Sequence, residues 1–230
     1  MTEQLNKLEK IIQISFSNKQ LLKQALVHKS YANEANNNVA NNERLEFLGD
    51  SVLDLAVSSY LYDNFSQHPE GKLAKMRAVL VSENMLAQKA GEIQLGAFLL
   101  LGRGEENTGG RERKSILADT LEALLGAIYL DKDYYFCEKF ILNFFTENFK
   151  SVARGEYIKD YKTKLQEFIQ QDNLERPEYS VLKVTGPDHN KTFTIGVLFK
   201  GKQLGTGTAS SKKEAQQKAA RSALEKLGQL

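Results

Sequence analysis

The sequence predicts an all-α domain followed by a small α+β domain of order α-β-β-β-α. Three observations carry that expectation. Apolar residues recur three or four positions apart through the first 150 residues, the spacing of helices that bury one face. The period changes to alternation from Tyr179 onward. The charge also changes sign along the chain: residues 1–150 hold 17 Lys and Arg against 20 Asp and Glu, a net of −3, and residues 151–230 hold 14 against 9, a net of +5. Two domains are therefore expected, 1–152 and 158–230, the smaller one facing a polyanion.

Taken in order, helical spacing runs through Leu21–Ala25, Leu45–Leu61, Leu73–Ala90 and Ile116–Leu130. Asn and Gly clusters, NEANNNVANN at 33–42 and GRGEENTGG at 102–110, separate these stretches, and Pro69 sits between two of them. After SVARGEYIKD a short helical pattern, Tyr161–Gln171, leads into the alternating runs YSVLKV and TFTIGVLF. A third run, KQLGTGTA, follows Gly201, and an Ala-rich helix, Lys212–Leu227, comes last.

Composition narrows the class. Of 230 residues, 41% are hydrophobic and 26% charged, a balance that excludes wholesale disorder. Apolar stretches such as Ala123–Leu130 fall far short of a membrane span, so no membrane partner is expected. The start, MTEQLNKLEK, lacks the apolar core of a secretory signal. A single cysteine, Cys137, permits no internal disulfide, which points to a reducing, cytoplasmic setting, and its aromatic surroundings mark it as a packed thiol. His28 and His68 stand apart from each other and from any thiol, as structural or surface residues do. GRGEENTGGR lacks the GK[ST] ending of a phosphate-binding loop, so no nucleotide cofactor is expected.

Chemistry enters with carboxylates placed where a core belongs. In NERLEFLGDSVLDLAVSSYL (residues 42–61 with Asn41 ahead), Asn41 or Asn42 caps a helix, and Glu46, Asp50, Leu53 and Val57 fall within about 40° of one another around it. Acids near a helix start also complement the macrodipole, so this helix alone decides nothing. Across Ile116–Leu130 the only charged residues are Asp119 and Glu122, on one face of a helix apolar all round. Burying ionised carboxylates without partners costs several kcal/mol each. Basic partners such as Arg44 or Lys114, shifted pKa values, or a cation would offset that cost. A hard divalent metal is the economical choice, because it takes oxygen ligands. Such a site activates water for in-line attack on phosphorus.

NERLEFLGDS (42–51) together with SILADTLEALLGAIYLD (115–131) resembles the paired signatures of the ribonuclease III family. The stretch ending GTGTASSKKEAQQKAARSAL resembles a double-stranded-RNA-binding domain, and LVHKSYANE, PEGKLAKMRA and LGRGEENTGGR extend the likeness over nearly the whole chain. With one nuclease domain and one RNA-binding module, the arrangement resembles the bacterial form. The resemblance implies a helical nuclease domain that forms a homodimer and cuts both strands of duplex RNA, leaving 5′-phosphates, 3′-hydroxyls and short 3′ overhangs, with roles in rRNA and other RNA processing. It implies Mg²⁺, with Mn²⁺ as a substitute, on Glu46, Asp50, Asp119 and Glu122, with Asp50 and Glu122 the catalytic pair. Glu43 and Glu70 match acidic positions of the family's cleft or dimer, and Phe47 matches its dimer-contact aromatic. Ala74 and Gln216 depart from the usual Ser and Glu.

The basic tail points the same way on its own physics. Lys212, Lys213 and Lys218 lie on the last helix, and Gly205 and Gly207 just ahead are expected to let its N-terminus approach phosphates. Duplex RNA is read through phosphates and 2′-hydroxyls of its minor groove. Thr163, Gln166 and Glu167 on the first module helix, and His189 in the loop GPDHNK, match RNA-contact positions by resemblance. Two other classes are weighed: a non-catalytic duplex-RNA-binding dimer, against which the acidic quartet argues, and a metal phosphohydrolase of small nucleotides, against which the basic module argues.

Overall fold

A computed structural model describes residues 2–35, 39–154, 161–170, 176–187 and 191–229. The chain divides into two units, Met1–Val152 and Ala153–Leu230. The first is helical throughout: α1 (Thr2–Ile12), α2 (Lys19–Ala25), α3 (Lys29–Glu34), α4 (Glu43–Asn64), α5 (Glu70–Leu80), α6 (Glu83–Glu92), α7 (Arg103–Asn107), α8 (Lys114–Asp131), α9 (Tyr134–Phe144) and α10 (Thr146–Ala153).

The centre of this unit is α8. Ile116, Ala118, Leu121 and every residue from Ala123 to Ile128 are buried, as an all-apolar helix must be. Each such Leu or Ile contributes roughly 1.5–3 kcal/mol through burial. Around it lie α4, which buries Leu45, Val52, Leu53, Ala56, Val57 and Leu61, and α6 and α2. The periodic stretch Leu73–Ala90 is not one helix but two. Ser82 breaks it by accepting a hydrogen bond at Oγ from Met85 N (3.3 Å), capping α6. The apolar period survives the break because Met76, Leu80, Leu86, Ala87 and Ala90 all reach the core. Cys137 is fully buried on α9, and burial pushes its thiol up to about 12.

The second unit carries α11 (Tyr161–Gln170), β1 (Glu178–Thr185), β2 (Thr192–Phe199), β3 (Lys202–Ala209) and α12 (Lys212–Lys226). The strands form an antiparallel sheet in the order β1-β2-β3. Leu165, Ile169, Val197, Ala219, Ala220, Ala223 and Leu224 form its main core between sheet and helices. Gly205 and Gly207 do not open the start of α12 to phosphate, contrary to the sequence expectation. They face the middle of α12: a Cβ at Gly205 would lie 2.5 Å from Ala219 O, and one at Gly207 2.3 Å from Ala219 N. Their role is helix-on-sheet packing.

Candidate active site

The carboxylate helices meet at two glycines. A Cβ on Gly49 of α4 would lie 1.8 Å from Glu122 O, and one on Gly126 of α8 would lie 2.2 Å from Leu45 O. Only glycine at both positions allows the backbones to cross this closely. The entry of α4 is set by Asn41, whose Oδ1 accepts from Glu43 N (3.2 Å). Asn42 makes no side-chain cap; it is buried, and its backbone N donates to Val27 O (2.9 Å).

One oxygen each from Glu46, Asp119 and Glu122 lies within 4.8 Å of the others. Asp50, one turn beyond Glu46, is exposed and falls outside this trio, though its charge reaches Glu122. All four carboxyls are pushed upward, in each case first by burial. Asp119 and Glu43 then act on Glu46, Asp54 on Asp50, and Glu83 on Asp119. Glu122 rises to about 8 through burial and the charges of Asp50, Asp119 and Glu46. Basic neighbours only partly oppose this: His28 and Lys29 pull Asp119 down. Neither base weighed from sequence closes the site, because Lys114 Nζ donates to Asn84 Oδ1 (2.9 Å) and, among the described residues, no ion pair joins Arg44 to the cluster.

Structural acids in the same unit behave oppositely. Burial raises Glu9 and Asp131, yet both end below the usual carboxylate range. Glu9 accepts from Phe16 N (2.8 Å) and Lys19 Nζ (3.0 Å); Asp131 accepts from Ser17 N (2.9 Å) and Asn18 N (2.7 Å). Among the described residues the trio has no such donors beyond the backbone N–H of Asp119 itself. Its donor set, all carboxylate oxygen with water access, fits a hard divalent cation.

The remaining candidates are scattered around this centre. Glu43 lies 3.6 Å from Lys29. Glu70 opens α5 and lines a small groove with Leu61, Tyr62 and Arg77. Phe47 is 77% exposed and shares one side of α4 with exposed Leu55 and Tyr62. Glu83, a charge neighbour of Asp119 from the first turn of α6, has no signal in the sequence, because only the fold brings it near.

On the second unit, Lys212 and Lys213 are exposed in the first turn of α12, which Ser211 caps by accepting from Glu214 N (3.2 Å). Lys212 Nζ lies 5.8 Å from the Phe193 ring centroid. Lys218 pairs with Glu214 (3.0 Å), as a solvated helix face does. Thr163 and Glu167 are exposed on α11, and Gln166 Nε2 donates to Gln170 Oε1 (3.2 Å). His189 lies outside the described residues.

A helical domain in which three carboxylates converge, carried in one chain with an α-β-β-β-α module that presents lysines, defines a two-domain protein whose side chains suit a hard cation in one unit and a polyanion in the other. Family models agree unit by unit: residues 18–149 match a ribonuclease-III-like domain, and residues 161–227 match a double-stranded RNA binding motif. The chain belongs to the ribonuclease III family, whose members are endoribonucleases of double-stranded RNA. It is 49% identical over 213 residues to a ribonuclease 3 of Syntrophomonas wolfei, covering 93% of this chain and 91% of that one. It is 47% identical over 226 residues to a ribonuclease 3 of Campylobacter jejuni, covering 98% and 99%. The solved nuclease domain of a Campylobacter jejuni ribonuclease III superposes with a TM-score of 0.59 at 46% identity, over 63% of this chain and 97% of that one.

Proposed function

We propose that this protein cleaves double-stranded RNA by Mg²⁺-dependent phosphodiester hydrolysis, with Mn²⁺ as a competent substitute. The single observation that carries the reading is the trio Glu46, Asp119 and Glu122, with oxygens within 4.8 Å of one another and every member raised by burial and by neighbouring carboxylates. Glu46, Asp119, Glu122 and the adjacent Asp50 are the residues that would hold the cation. When bound, it supplies an activated water and neutralises charge on the scissile phosphate. The chain's own contribution is positional: the α4–α8 crossing holds acids from two helices on one site, and the apolar body of α8 keeps them from spreading into solvent. Asp50 and Glu122 act as the catalytic pair, Glu122 giving up the proton that burial otherwise makes it keep. The products are 5′-phosphate and 3′-hydroxyl ends with short 3′ overhangs.

Lys212, Lys213 and Lys218 hold phosphates, while Thr163, Gln166, Glu167 and His189 read the minor groove. The working form is a homodimer built on the Phe47, Leu55 and Tyr62 side of α4, with Glu43 and Glu70 at the cleft or dimer edge; the setting is the cytoplasm and the substrates include rRNA precursors. Exposure of three large apolar groups on one helix supports that surface. Long duplex RNA incubated with the protein in Mg²⁺ and in EDTA tests the proposal. Cleavage in Mg²⁺ alone is expected; binding without cleavage in both would instead identify a non-catalytic duplex-RNA binder.

A further inference from the structure

The two carboxylate helices are braced at a second place, away from the glycine crossing. The short connection Leu26–His28 between α2 and α3 bonds on one side to the entry of α4, where Asn42 N donates to Val27 O (2.9 Å); beside it, from the end of α2, Gln24 Nε2 donates to Asn41 O (3.0 Å). On its other side Leu100 N donates to Leu26 O (2.8 Å), and His28 N donates to Leu100 O (3.1 Å). The strip it grips, Leu99–Leu101, packs on Ile116 and Leu117 in the first turn of α8. One segment thus ties the start of the helix carrying Glu46 to the start of the helix carrying Asp119.

The backbone ladder ends at His28, and side chains continue it. Ser30 Oγ accepts from the buried Gly102 N (2.9 Å) and lies 2.8 Å from His28 Nδ1. His28 Nδ1 also accepts from Ser30 N (3.3 Å), capping α3, so that nitrogen carries no proton and Ser30 Oγ–H donates to it. The hydroxyl proton is committed to the imidazole, which leaves an oxygen lone pair aimed at Gly102 N. The loop sits so close here that a Cβ on Gly102 would lie 2.7 Å from Ser30 O. Without the hydroxyl, a buried N–H is orphaned, which the strip relieves by moving outward.

We infer that Ser30, oriented by His28, is a positioning residue for the carboxylate site: it fixes the separation of Glu46 from Asp119 and Glu122 without touching the cation or the RNA. This rests on the metal-dependent reading above. The test measures Mn²⁺ binding to the full-length protein by electron paramagnetic resonance, without RNA. Ser30→Ala should weaken Mn²⁺ binding about tenfold, the usual effect of removing a group that orients a ligand. Ser30→Thr, which keeps the hydroxyl, should restore it. With duplex RNA, kcat should fall and KM stay unchanged in Ser30→Ala, since the phosphate-binding lysines are untouched. A structural role alone would lower thermal stability and leave Mn²⁺ affinity at wild-type strength; that result, or a Thr variant as weak as the Ala variant, overturns the inference. If Ser30→Ala does not fold, His28→Asn serves, because Asn keeps a cap acceptor for Ser30 N and loses the imidazole; wild-type Mn²⁺ affinity in it also overturns the inference. Wild-type protein that binds no Mn²⁺, or Glu122→Gln that binds it as tightly as wild type, refutes the metal site itself and is recognisable as a separate failure.

Discussion

Replacing Glu122 by Gln should stabilise the metal-free protein while abolishing cleavage. The folded chain keeps this carboxyl protonated up to about pH 8, whereas the unfolded chain releases the proton near 4.5. The extra proton in the folded state favours folding in acid. That contribution is intact below pH 4.5, falls through the interval, and is gone above 8. At 1.36 kcal/mol per unit the ceiling is about 5 kcal/mol; half-burial leaves water to screen part of it, so about 2–3 kcal/mol is the expected size. Gln carries no such penalty. In EDTA at pH 9 the variant should therefore melt about 4–12 °C above the wild type, and the difference should vanish near pH 4.5. Single-turnover cleavage at raised Mg²⁺ should fall by orders of magnitude. A variant that melts lower than wild type in EDTA at pH 9 would mean a buried acid paired with a base, because removing one member orphans the other. Wild-type cleavage by the folded variant would refute the site directly.

Three further outcomes separate the units. A fragment of residues 1–152 should dimerise and cut duplex RNA at low salt, and lose activity steeply as salt rises; cleavage equal to the full chain at physiological salt would show that the basic unit supplies no affinity. Lys212→Ala with Lys213→Ala should weaken binding to all duplexes alike, each lost phosphate contact flattening the log–log salt slope by roughly 0.7–0.9; an unchanged slope would leave both as solvated charges. Gly207→Ala should unfold the second unit in thermal melts, since its Cβ would lie 2.3 Å from Ala219 N, while low-salt cleavage persists.

The carboxylates were legible in the sequence because charge is conspicuous on a helix with no other reason to carry it, as at Asp119 and Glu122. What periodicity registers is which face a residue occupies. It does not register distance to another helix, so the exposure of Asp50 and the arrival of Glu83 beside Asp119 were hidden. The joint between α5 and α6 was hidden for a related reason: the apolar spacing runs through it, and only the Ser82 hydroxyl marks the stop. Glycines misled most. Gly205 and Gly207 precede a basic helix in sequence, yet their partners are Ala215, Ala219 and Ala223, visible only after the strand folds back. The Ser30–Gly102 bond spans 72 positions and leaves no local pattern.

The crossing of Gly49 and Gly126 has a consequence for how this chain can change over generations. Where two helices touch through side chains, each exchange of one apolar residue for another shifts the spacing by fractions of an ångström. Here the gauge between the acidic pairs is peptide against peptide, with no side chain in the gap. Hydrophobic residues elsewhere on α4 and α8 are therefore free to drift and repack without retuning the site. The liability is concentrated at two positions, where even one methyl group is too much.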